Sequence, residues 1–110
     1  MQKFSLDAKV REHVQHAAAA ASGRSAETVY GGAEHVLRQT VVALEAGRSL
    51  TEHENPGEAT LLVLRGRVRL HSTDASWDGM AGDMIVVPPV RHSLEALERS
   101  AVLLTVAKHQ

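Results

Sequence analysis

The chain has 110 residues, room for one domain, and its 12 basic and 13 acidic side chains leave a formal net charge of -1. That balance speaks against a strongly basic nucleic-acid binder, and a 44% apolar content speaks against an acidic disordered tail. No run approaches the roughly 20 apolar residues of a membrane span, the start lacks the apolar core of a signal peptide, and there is no cysteine. Disulfides, thiolate metal sites and cysteine nucleophiles are thereby removed, and a cytoplasmic protein without a membrane partner is expected.

In chain order, residues 5–21 read as a helix. Ser5 is placed to cap it, Asp7 lies in the first turn, and Leu6, Val10, Val14, Ala17 and Ala21 form one narrow apolar stripe. Ser22-Gly23 ends it, so residues 1–24 form a helical extension whose stripe predicts packing on the outside of a sheet or at a subunit contact. From Thr28 to Lys108 the signal is β. Strands are predicted at Val36–Leu44, Leu50–His53, Glu58–Leu64, Arg67–His71, Met84–Val87, His92–Leu97 and Ala101–Lys108. Ala46-Gly47, Asn55-Pro56-Gly57, Gly66, Asp78-Gly79, Gly82-Asp83 and Pro88-Pro89 separate them. Short strands at this spacing predict an all-β barrel or sandwich over 28–108, in a single domain spanning 1–110.

Composition also limits the chemistry. Aromatics make up 3% of the chain, so a pocket must be aliphatic and cannot stack a planar ligand between rings. There is no phosphate loop, dinucleotide fingerprint or nucleophile elbow, and no organic cofactor is expected. Seven histidines are more than a chain this size usually carries, and imidazole is the commonest metal ligand. His13, His16 and His109 fall in segments expected to be exposed, which leaves His35, His53, His71 and His92.

Two of these sit in a pattern. Gly47, five residues on His53, then Asn55 and Gly66 form one run; Gly82, five residues on Pro88, then His92 form a second. Together they resemble the two motifs of the cupin superfamily, over roughly residues 33–108. The whole chain is similar to small single-domain cupins with an alanine-rich N-terminal helix. The resemblance implies a double-stranded β-helix, a jelly-roll-like barrel, here with one N-terminal α-helix. It also implies a divalent metal held inside the barrel by three histidines and a glutamate. Residues two apart on a strand share a face, so His53 and Asn55 would look into the barrel together.

The sequence departs from that pattern at two ligand positions. Asn55 stands at the second histidine, and the glutamate position falls at Thr60, or at Ala59 on a shorter gap. Glu58 offers a substitute carboxylate if it shares an inward face with Thr60, giving His53, Glu58 and His92 as a two-histidine, one-carboxylate set with Asn55 as a fourth candidate. Alternatively Pro56-Gly57 places Glu58 on a turn at the mouth, and Asn55 serves that turn.

Other residues carry weaker signals. Arg38 shares a strand face with Val36, Thr40, Val42 and Leu44; such an arginine points inward to a carboxylate or acidic ligand, or lies at an exposed edge. Arg67, Arg69 and His71 read as a solvated outer stripe opposite Val68 and Leu70, not as a nucleic-acid surface. Trp77 reads as a packing residue. Three functions stay open: a weak divalent-metal site, a metal-free small-molecule pocket, or a structural or regulatory barrel with a degenerate site; catalysis is left undecided. Open sheet edges and the alanine-rich helix predict a homodimer.

Overall fold

The structure is a computed structural model that describes residues 2–53 and 57–108, with 51–53 described through their backbone alone. One helix, α1 (Leu6–Ala19), precedes nine strands: β1 (Arg24–Gly31), β2 (Leu37–Leu44), β3 (Ser49–His53), β4 (Gly57–Arg65), β5 (Arg67–Ser72), β6 (Ser76–Met80), β7 (Met84–Val86), β8 (His92–Ala96) and β9 (Ser100–Lys108). They form a five-stranded sheet in the order β1-β2-β9-β4-β7 and a four-stranded sheet in the order β3-β8-β5-β6. This is the all-β architecture with one N-terminal helix that the sequence predicts.

The core lies between the sheets and follows the alternation of each strand. From β4 come Ala59, Leu61 and Val63, from β5 Val68 and Leu70, from β8 Leu94 and Ala96, and from β9 Val102 and Val106. Such two-residue periodicity lets a strand bury one face while the other meets solvent or a second layer. In the five-stranded sheet that second layer is α1. Ser5 Oγ accepts from the Ala8 N–H at 3.2 Å to start the helix. Val10, Val14 and Ala17 then pack on Ala43, Ala101 and Leu64. The small side chains on both surfaces let the helix lie close, as the narrow stripe predicts.

Two strands lie outside the predicted set. β6 carries Trp77, which is exposed at a sheet edge rather than packed. β1 extends the barrel back to Arg24, ahead of the expected start at Thr28. Its covered side is built from Ser25, Glu27 and Val29. With polar residues on the covered face, the strand shows no hydrophobic alternation to read.

The two ends of the barrel differ. At one end β4 and β5 join through Gly66, whose φ of +82° suits glycine and whose Cα side faces the Arg99 and Ser100 backbone. Buried Ser100 Oγ accepts from the Arg67 N–H at 3.0 Å and lies 2.7 Å from the Glu98 carbonyl, tying β9 to this hairpin. At the other end β2, β4 and β8 begin and β3, β5, β7 and β9 finish, and this end is the mouth.

Candidate functional site

The mouth is built from the ends of strands in both sheets. On the four-stranded side, His92 opens β8 and is 4% exposed. Its Nδ1–H donates to the Val90 carbonyl at 2.8 Å. That bond orients the ring at the strand end. The register sets His92 opposite Ser72 of β5 on one side and opposite His53 of β3 on the other. A register shift between Leu50 and His53 brings the two histidine positions into line. The two histidines separated by 39 positions in sequence therefore become direct cross-strand partners. Pro88 and Pro89 follow edge strand β7, as their turn chemistry predicts, and lead the chain back to His92.

On the five-stranded side, one row at the mouth runs from Gly31 through Arg38 and Val106 to Ala59. Val106 and Ala59 are buried in the core, and Arg38 is half-buried on the face that also carries Thr40, Val42 and Leu44. The inward alternative for Arg38 is thus the one the backbone supports.

The expectation for Glu58 is corrected. Ala59, Leu61 and Val63 form the inward face of β4, so Glu58 and Thr60 share the outer one, and Glu58 is exposed there. Of the two positions offered for the missing glutamate, Ala59 is the one that faces the core, and it has no donor atom. β4 starts at Gly57 and keeps this alternation up to Val63, before the register shift ahead of Arg65. Asn55 lies outside the described residues. Among the described residues, β4 offers no inward carboxylate to a four-ligand metal centre.

A second histidine was missed. His13, expected on an exposed segment, is 5% exposed beneath α1. Its Nε2–H donates to Glu27 Oε1 at 2.8 Å, and Nδ1 lies 2.7 Å from the Ser25 hydroxyl. Lys9 Nζ meets both Glu27 oxygens at 3.0 and 3.1 Å. The hydrogen bonds from His13 and then Lys9 hold the Glu27 carboxyl below its ordinary value, and the bond to Glu27 raises Lys9. Glu12, His13 and Glu27 bring potential metal-ligating atoms within 4.8 Å of one another. The lysine ammonium already occupies this carboxylate, and both imidazole nitrogens are bonded, so the cluster works as a clasp between α1 and β1. The signal was present: Val10, His13, Val14 and Ala17 are one helical face.

The remaining singled-out residues lie as the bland readings predict. Arg69 is paired bidentately with Asp78 at 2.6 and 3.0 Å, and His71 Nε2 lies 2.9 Å from Glu95, on the outer face opposite Val68 and Leu70. His35 is exposed, its ring 5.6 Å from that of Tyr30. No described helix is long and apolar enough to cross a membrane.

No protein-family model matches the chain, and no curated protein matches it. Solved structures do. A conserved protein of unknown function from Streptococcus pyogenes is 26% identical, with 83% of this chain and 79% of that one covered and a TM-score of 0.74. An RmlC-like cupin protein from Desulfovibrio desulfuricans is 25% identical over 76% of this chain and 81% of that one, with a TM-score of 0.67. A cupin superfamily protein from Desulfitobacterium hafniense is 18% identical over 78% of each chain, with a TM-score of 0.71. Two facing antiparallel sheets, a mouth at the strand ends and these neighbours lead to one conclusion: the chain is a small protein of the cupin fold.

Proposed function

We propose that the chain is a small-molecule-binding cupin whose ligand sits in the barrel mouth beside His53 and His92. The observation that carries this reading is the β3–β8 register, which makes the two histidine positions cross-strand partners next to a wall of Val106, Ala59, Val87 and Leu94. The buried His92 imidazole beside aliphatic residues is a polar group in apolar surroundings, the usual composition of a ligand site. A divalent ion would be held by His53 and His92, with Asn55 as a further donor, and only weakly, because Ala59 stands where a carboxylate is needed.

The test is metal content of tag-free protein, paired with a fragment screen read on backbone amide shifts. The expected result is metal far below one per chain, unchanged in a His53→Ala, His92→Ala double variant, and fragment shifts gathered at residues 57–60 and 87–94. Near-stoichiometric metal that the double variant loses would replace the pocket by a metal centre. Shifts confined to other surfaces would remove the mouth reading altogether.

A homodimer is proposed through the outer face of the five-stranded sheet. Beyond the part covered by α1, Gln39–Thr105–Thr60–Val86 and Leu103–Leu62–Met84 cross that face without a charge, the second row continuing to buried Val41 and to Glu27 beside α1, and Met84 and Val86 are 62% and 71% exposed. An uncharged patch sets no like charges against each other when two copies meet across a two-fold axis. Light scattering at micromolar concentration is expected to give the dimer mass, and Met84→Lys the monomer; a monomeric parent would overturn it.

A further inference from the structure

We propose that the ligand of the mouth is a small organic anion, its carboxylate held by Arg38; this rests on the mouth being the ligand site. Arg38 sits two strands from Ala59 in the row that closes the mouth, half-buried, on the core-facing side of β2. A guanidinium is charged at every physiological pH, and taking it partly out of water calls for a counter-charge. Arg69 and Arg99 have theirs, in Asp78 and Glu45, and Lys9 has Glu27. Among the described residues no carboxylate is paired with Arg38.

The other charged groups described at this end do not supply one. Lys108 Nζ donates to the carbonyls of Gly32 at 2.6 Å and Ala33 at 3.3 Å, so it secures the 32–36 turn. Arg91 is a second cation and is exposed. Glu58 is on the outer face of β4. Among the described residues, the inner rim therefore presents a cation to an aliphatic wall. A planar fork of N–H donors matches a carboxylate bidentately, and the wall of Val106, Val87 and Ala59 fits a short aliphatic body. Where the family pattern would place a glutamate near this row, Ala59 removes the negative charge that would repel such a ligand.

The probes are succinate, its neutral counterpart succinamide, and inorganic phosphate, titrated into the full chain with the Arg38 Nε–H and backbone amides followed by NMR. Succinate is expected to move the Arg38 Nε–H saturably and to bind roughly tenfold or more tightly than succinamide, as a charge-assisted bidentate contact requires. Arg38→Gln is expected to lose that preference, Arg38→Lys to retain part of it, and Arg69→Gln to behave as the parent. The Arg38 signal of the parent protein decides the matter even if a variant does not fold. Equal binding of succinate and succinamide at the mouth would overturn the anion proposal while leaving the mouth as the ligand site. Phosphate binding more tightly than succinate would overturn the carboxylate class. No mouth shift with any probe would overturn the proposal, and the fragment screen then decides separately whether the mouth binds anything.

Discussion

The two buried histidines among the described residues are almost equally hidden, and they do different work. His13 is held through both ring nitrogens by the chain's own Ser25 and Glu27, under a helix, with Lys9 completing the charge balance. His92 donates Nδ1–H to a backbone carbonyl of the loop before it and stands at a strand end, across from His53, where the barrel opens. Burial alone does not mark a functional imidazole. What separates the two is whether the residues around the ring belong to a closed clasp or to an open rim.

Substitution is the first way to break this comparison. His13→Ala removes a buried ring and strands its Ser25 and Glu27 partners; the expected loss is about 2–3 kcal/mol of unfolding free energy in urea. Ligand shifts at the mouth are expected to stay as in the parent. His92→Ala is expected to cost about 1 kcal/mol, since water reaches a strand end more readily than the helix seam. It is expected to abolish those shifts. Equal losses, or a His13 variant that stops binding, would erase the distinction.

How much of this was legible beforehand follows from where hydrophobic contrast exists. β4, β5, β8 and β9 alternate apolar with polar or small residues, so their strands could be placed from sequence, while His53 and His92 were singled out by the resemblance to the two cupin motifs. β1 could not, because its covered side carries Ser25 and Glu27, whose burial makes sense only once His13 and Lys9 lie above them. The same pairing hid His13, although its place three residues after Val10 put it on the helix's packed face. Glu58 was misplaced by one residue of strand phase, and in a two-residue repeat one step exchanges the faces completely. Arg38 could be grouped with Val42 and Leu44 from sequence, but whether it points inward or lies at an exposed edge is decided only by the register that sets it in one row with buried Val106 and Ala59.

The clasp also has an acid signature. The folded Glu27 carboxyl lies below its ordinary value of 4.5, so the stability it contributes is present above that value and is lost as pH falls through the folded one. Thermal melts of the parent and of Glu27→Gln are therefore expected to differ at neutral pH and to converge only as pH falls below the ordinary carboxyl value of 4.5. A difference that persists unchanged in acid would show that Glu27 acts through packing rather than charge. A smaller effect sharpens the rim: Ala59→Glu combined with Asn55→His restores the missing donors, and metal occupancy is expected to rise above that of the parent. Unchanged occupancy would mean that β4 cannot deliver a carboxylate to this place.

The most direct measurement is a zinc titration followed through the imidazole nitrogens by NMR, with His13, His53 and His92 assigned by substitution. The account predicts that His53 and His92 respond together, weakly and at the same zinc concentration, while His13 keeps its chemical shifts. A response led by His13, or His92 moving without His53, would contradict it.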